Sequence, residues 1–416
     1  MKESFFDAKE SVLDNGIRLV TVKKDTQLMT IYAAIEVGSL NEEKHEKGIS
    51  HFIEHMLFKG TETRNNESLN EDIENLGGEC NAYTDYISTV YSMVALGEEL
   101  PESLEILSDM IINSNFPEEE LEKERGVILS ELKTSKDDIE DLSFRKINKL
   151  AFDKSPIRYE VLGDEKNLKS FRREDLLKYY NKYYVPNNCI ISVASSYEHD
   201  EVKEVVEKYF LDWQKKELYK KPIIVEDNKC ATHISYKKDI EQNTIMYLYT
   251  FHGLSKYEEL VLRILNHKLG DSANSILFRE LREKRGLAYD VYSNIDCSNN
   301  VKTLYIYTAV DEENVEEAIE VINKAIDDIK KEKIIFNENT LDLMKKVFKT
   351  ALASTLEDVS DLCHYVLCQR LDDEHIYEFY SDMKSIENME SGHIYSIANK
   401  VLNNPTVHIL KSEKSE

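Results

Sequence analysis

Gly48-Ile-Ser-His-Phe-Ile-Glu-His-Met-Leu-Phe58 is the stretch on which the reading of the chain turns. Ile49, Phe52, Ile53, Met56 and Leu57 recur at helical spacing, which predicts an amphipathic helix with one buried face. His51 and His55 are one turn apart along that helix and about 40° apart around it, so both imidazoles can point at one atom. Glu54 projects close to the same side. Two imidazoles, a nearby carboxylate and an open position for water match a zinc site of the His2Glu type. Such donors also accept other divalent ions.

A site of this kind needs a third protein ligand. Glu122-Lys-Glu-Arg-Gly-Val-Ile-Leu-Ser-Glu-Leu132 offers two carboxylates seven residues apart, on one side of a predicted helix. Glu131 is the candidate ligand. Glu124, two turns earlier, is the candidate partner for the outer nitrogen of a ligand histidine. Taken alone, the same spacing also describes a solvated acidic helix face.

Outward from these segments, the pattern alternates between strands and helices. Strands are predicted over 16–23, 31–37, 87–96 and 189–194, where β-branched and apolar residues run between turn signals. Helices are predicted over 68–76, 99–114 and 117–132, and helical pattern continues to Tyr184 with a break at Ser155-Pro156. Residues 212–230 are polar and lack a sustained apolar period, which marks a linker near the middle of the chain. The second half echoes the first: Leu76–Tyr86 is similar to Lys284–Tyr292, and Phe116–Glu124 to Phe336–Met344. The expected class is α+β. Two homologous domains, 1–211 and 231–416, each carry a mainly antiparallel sheet covered by helices on one face. The polar constellation belongs to the first domain alone.

At 416 residues the chain is long enough for two or three domains with cores that need no disulfide scaffold. Its six cysteines are scattered, with no C-x-x-C pair, and read as reduced cytosolic thiols. The net charge of −26 argues against nucleic acid and against an anionic membrane surface as partners. No apolar run approaches the roughly 18 residues that span a bilayer, and the acidic first ten residues do not read as an export signal. A cytoplasmic location is the expectation.

The motifs together carry a resemblance. Gly38-Ser39, Glu42 and Gly48–Thr61 resemble the pitrilysin/insulinase family of zinc metallopeptidases, including the mitochondrial processing peptidases and bacterial members of about this length. H-x-x-E-H is itself a zinc-peptidase motif. The likeness continues through Gly77–Thr84, Glu124–Glu131 and Leu281–Tyr289. It implies one Zn2+ per chain, held by His51, His55 and Glu131, the last 76 positions after His55. Glu54 is implied as the general base and Glu124 as the support of the site. Residue type alone reads Arg282 and Tyr289 as a helix-end arginine and a strand tyrosine. The resemblance makes them the pair that holds substrate and stabilises the transition state. Asn81, Ala82, Tyr83 and Thr84 match the edge strand on which an extended peptide is held by backbone pairing. The chain departs from the pattern at Ser155-Pro156, where relatives often carry His-Pro, and at Ser195-Ser196, where a glycine is common.

The implied activity is endopeptidase cleavage of unfolded or extended peptides in a chamber. Such chambers hold twice as many of these domains as this chain, so a homodimer is expected, with a heterodimer with an inactive relative as the other assembly. Two further readings stand beside it: a dedicated maturation protease for one peptide, and a catalytically silent binding or assembly subunit on the same fold.

Overall fold

The computed structural model describes residues 6–413. Its strands are β1 (Asp7–Val12), β2 (Arg18–Lys23), β3 (Leu28–Ile35), β4 (Glu79–Thr84), β5 (Thr89–Leu96), β6 (Cys189–Ser195), β7 (Ala231–Lys237), β8 (Asn243–Thr250), β9 (Ala288–Asp296), β10 (Thr303–Val310) and β11 (Thr406–Ser412). The helices begin with α1 (Ile49–Leu57), α2 (Asn66–Asn75), α3 (Leu100–Asn113), α4 (Glu118–Asp137), α5 (Ile139–Ala151), α6 (Glu165–Ser170), α7 (Arg173–Tyr183) and α8 (His199–Phe210). They continue with α9 (Lys256–Leu269), α10 (Ile276–Phe278), α11 (Val315–Lys330), α12 (Glu338–Glu357), α13 (Val359–Leu371), α14 (Glu378–Glu387) and α15 (Ser391–Val401). Among the described residues, no helix is long and apolar enough to cross a membrane.

The strands form two sheets, in the orders β1-β2-β6-β3-β5-β4 and β7-β11-β8-β10-β9. Without β1 the two orders superimpose, down to one parallel pair in each, β2 with β6 and β7 with β11. All other neighbours are antiparallel. The expected α+β class with two related, mainly antiparallel sheets is what the chain adopts, but helices cover both faces of each sheet rather than one. β1 was not foreseen, because Asp7–Val12 has no apolar face: it is a largely exposed edge strand paired to β2. Helix α2 starts two residues before the expected position because the Asn65 side chain caps it, accepting from the Ser68 N–H at 2.9 Å. Helix α4 runs on to Asp137 rather than stopping at 132.

In the first sheet, Ile31, Ala33 and Ile35 of β3, Tyr91 and Met93 of β5, and Ile191 and Val193 of β6 face one helix layer. The alternate residues Ala34, Val90 and Ile190 face the other way and bury Leu367 of α13. The second sheet shows the same arrangement. Tyr247, Leu304 and Ile409 join the core with α9 and α11, while α5 lies on the other face. There Tyr305 donates to Asn148 at 2.6 Å, and the Ser143 and Thr244 hydroxyls bond at 2.5 Å.

The compact units therefore do not follow a single cut at 212–230. The first comprises 1–133, 160–222 and 352–378; the second comprises 134–159, 223–351 and 379–416. Each takes one helix from the other half of the chain, α13 into the first and α5 into the second. The exchange is symmetric in sequence. Buried Phe116 and Phe336 each precede a 20-residue helix, α4 or α12. Each of those leads through an aspartate N-cap, Asp138 or Asp358, into a 13-residue helix that joins the opposite unit. Both caps accept from the N–H groups two and three residues on. Every member of this series recurs 220 residues later.

The packing of α13 gives a stability prediction. Leu367→Ala removes a fully buried side chain and is expected to destabilise the first unit by about 3 kcal/mol. Trp213, the single tryptophan, lies in the first unit's core and reports its unfolding in urea by fluorescence.

A pH prediction comes from an interior strand of the second sheet. His408 of β11 is fully buried, with Nε2 against the Ser235 hydroxyl at 2.8 Å. Burial, helped by the nearby His233 and Lys146 charges, holds its imidazole down to about 4. The unfolded chain thus binds a proton that the folded chain refuses between about pH 6.5 and 4. The stability is complete above that window and falls as pH drops through it, by an order of 3 kcal/mol. In His408→Gln, urea unfolding should lose this component of the pH slope relative to the wild type.

Candidate metal centre

Helix α1 enters the site through two glycines. Gly48, its N-cap, has φ +94°, and a Cβ there would stand 2.8 Å from the Leu162 carbonyl oxygen and 2.9 Å from the Gly163 Cα. Gly163, at φ +78°, presses on the same backbone from the other side. No side chain fits between them. Glu42 completes the cap: its carboxylate accepts from the Gly48 N–H at 3.0 Å and the Ser50 N–H at 2.9 Å. Burial pushes this carboxyl up to about 7, against the pull of Lys47 at 4.0 Å and the two N–H donors. Ile49, Phe52, Ile53, Met56 and Leu57 then bury one face of α1, and the histidines are left half-buried on its other side.

The two imidazoles stack edge to face, with centroids 4.6 Å apart. Helix α4 is anchored by buried Leu121, Ile128 and Leu132, and presents Glu124 and Glu131 towards them. One Glu131 oxygen lies 3.9 Å from His51 Nε2 and 3.6 Å from His55 Nε2. Donor atoms of His51, His55 and Glu131 all fall within 4.8 Å of one another. Around a tetrahedral Zn2+, with ligands at about 2.0–2.2 Å, neighbouring donors stand roughly 3.3–3.5 Å apart, so the two Glu131 contacts would need only a small contraction.

Protonation favours the same use. Burial and the neighbouring His55 hold the His51 imidazole down to about 4, so it is neutral at physiological pH, as a metal ligand must be. His55 Nδ1 faces Glu124 at 3.0 Å, which leaves its Nε2 lone pair turned to Glu131 and His51. The other Glu124 oxygen lies 2.9 Å from Lys59 Nζ. Glu54 is buried on the same helix, and burial raises its carboxyl above the ordinary range. The Thr84 hydroxyl donates to Glu54 at 2.6 Å.

The expected edge strand is β4, at the end of the first sheet. Along it, Asn81 and Tyr83 are exposed while Ala82 and Thr84 turn inward. Tyr83 meets His364 of α13 at 2.8 Å rather than the metal site. Thr84, expected as part of a peptide-binding strand, also holds Glu54. Arg282 and Tyr289 belong to the second unit, in the π-helical turn Arg279–Glu283 and at the start of β9. The structure brings these two together, with the guanidinium 5.9 Å from the largely exposed Tyr289 ring and 5.1 Å from Phe278. Gly286, at φ +64°, ends the turn that separates them. Glu42 and Lys59 lay in quoted stretches without a role, and Gly163 carried no signal.

This combination, a duplicated α+β unit with a paired-histidine helix facing a glutamate helix, supplies the three donors that a His2Glu metal site needs. The family model "Insulinase (Peptidase family M16)" matches residues 18–165, and "Peptidase M16 inactive domain" matches 170–348. The chain is 33% identical to the uncharacterized zinc protease YmxG of Bacillus subtilis (strain 168) over 358 residues, 85% of this chain and 86% of that protein. It is 34% identical to the mitochondrial-processing peptidase subunit beta of Bos taurus over 204 residues, 49% of this chain and 42% of that one. A solved protease structure from Helicobacter pylori shares the fold with a TM-score of 0.91 at 21% identity, covering 98% of this chain and 100% of the other. The chain belongs to the insulinase family, peptidase family M16.

The cap on α1 is testable. Glu42→Ala removes two N–H acceptors and the carboxylate facing the buried Lys47 ammonium. It is expected to cost about 2–4 kcal/mol, read from urea unfolding of the apoprotein.

Proposed function

We propose that this protein is a zinc-dependent endopeptidase acting on unfolded or extended peptides. The observation that carries the reading is the complete donor set: His51, His55 and Glu131 converge while Glu54 stands beside them. This completeness favours catalysis over a silent subunit. When bound there, Zn2+ supplies Lewis-acid polarisation of the scissile carbonyl and lowers the pKa of water.

The protein's own groups would do the rest. Glu54 takes the proton of the attacking water and passes it to the leaving amine. Its raised carboxyl pKa lessens the cost of holding that proton between the two transfers. The Thr84 hydroxyl fixes the carboxylate for this exchange. Strand β4 pairs with the peptide backbone along Asn81–Thr84, so recognition depends on extended conformation more than on side-chain identity. Tyr289 donates a hydrogen bond to the developing oxyanion, and Arg282 holds a substrate carbonyl.

A homodimer is the proposed assembly, with a heterodimer as the alternative; the beta-subunit name of the bovine relative supports pairing in this family. Six cysteines without disulfides support a reducing compartment, and we propose the cytoplasm.

The decisive comparison is wild type against Glu54→Gln, with metal content, peptide hydrolysis and solution mass recorded side by side. Both forms are expected to carry one zinc per chain. Hydrolysis should fall by at least about 10²–10⁴-fold in the variant. Wild type that carries no zinc, or cleaves no faster than Glu54→Gln, would overturn the reading in favour of a binding subunit.

A further inference from the structure

Lys59 follows α1 and continues its path: the Phe58 and Lys59 N–H groups still bond back to the His55 and Met56 carbonyls, at 3.3 and 3.1 Å. It stands four residues after His55, which places it one turn further along the side that carries the histidines. From there Nζ reaches Glu124 Oε1 at 2.9 Å, while Glu124 Oε2 faces His55 Nδ1 at 3.0 Å. The Glu124 side chain is 9% exposed and that of Lys59 is 23% exposed. Each carboxylate oxygen therefore has one charged or polar partner, and the group is pinned at both ends. Glu54, Glu124 and Glu131 crowd three carboxyls around two imidazoles, and Lys59 brings a cation to that group.

We propose that Lys59 is a positioning residue for the metal-binding edge of His55, acting through Glu124. The ammonium stops the buried carboxylate from turning. The carboxylate in turn keeps the His55 proton on Nδ1 and the Nε2 lone pair directed at the metal position. This rests on the reading that His51, His55 and Glu131 hold zinc.

The test is zinc affinity of the apoprotein, measured by competition with a chromogenic chelator, for wild type, K59M, K59R, E124Q and the K59M/E124Q pair. K59M is expected to weaken zinc binding by about 10- to 100-fold, the range for loss of a group that orients a ligand. K59R should restore most of that affinity. In the E124Q background, K59M should have almost no further effect, because the two act in series. Imidazole ¹H–¹⁵N spectra of the apoprotein give an independent readout: His55 should be the Nδ1–H tautomer in wild type and a tautomer mixture in K59M. Unchanged zinc affinity in K59M, no rescue by K59R, or an undiminished K59M effect on top of E124Q would overturn the proposal. If wild type itself takes up no zinc, the metal reading fails, and this one with it. Zinc binding that is equal in wild type and K59M sinks the Lys59 role alone.

Discussion

Two imidazoles on one helix and a carboxylate on another meet only if the helices are held at a fixed spacing and rotation. Every feature around α1 serves that constraint. The Gly48 and Gly163 backbones touch where no Cβ fits, which sets the depth at which α1 enters. Glu42 satisfies the first N–H groups of the helix, and five apolar side chains key the opposite face into the core. Leu121, Ile128 and Leu132 do the same for α4. A rotation of α4 by one residue, about 100°, would carry Glu131 away from both Nε2 atoms.

The site also concentrates charge that water would otherwise solvate. Glu54 and Glu124 are both buried, and burial raises the Glu54 carboxyl above its ordinary range. The structure offsets this locally rather than by one strong pair: Thr84 donates to Glu54, and Lys59 and His55 flank Glu124. The one carboxylate that lacks such a donor, and is more exposed, is Glu131, whose partners are the two Nε2 atoms. Three such donors facing one another, with no cation among them, form a group that could hold a metal ion.

Much of this was legible in sequence, and the illegible parts share a cause. The α1 face, the four-residue histidine spacing and the seven-residue Glu124–Glu131 spacing follow from helical periodicity, which is local. Helix α5 falls within the helical pattern expected up to Tyr184, whereas α13, whose apolar residues are spread around the helix, was not foreseen; Leu362, Cys363, Val366 and Leu367 are among its buried residues. What the pattern does not encode is which sheet either helix covers. Partner choice is a property of the folded chain, so a simple division at 212–230 missed the exchange. The Lys59–Glu124 and Thr84–Glu54 contacts escaped notice for a related reason. A surface-type lysine and a strand threonine gain a role only from what lies across the gap.

The duplication shows what separates the two units, of which, among the described residues, the first alone carries a His–His–Glu group. Gly77 and Gly286 adopt the left-handed region at φ +65° and +64°, and each stands two residues before its edge strand, β4 or β9. The scaffold at this corner is therefore the same in both units. The side chains on it diverge. The 220-residue offset that relates α4 to α12 places Met344 opposite Glu124 and Ala351 opposite Glu131. The helix after β8, α9, turns Leu260, Val261, Ile264 and Leu265 into its core and carries no histidine pair in H-x-x-E-H spacing. The second unit instead sets Arg282 and Tyr289 beside its edge strand. The two copies thus share the glycine turns before their edge strands and the aspartate caps of α5 and α13, and differ in the side chains that could carry chemistry.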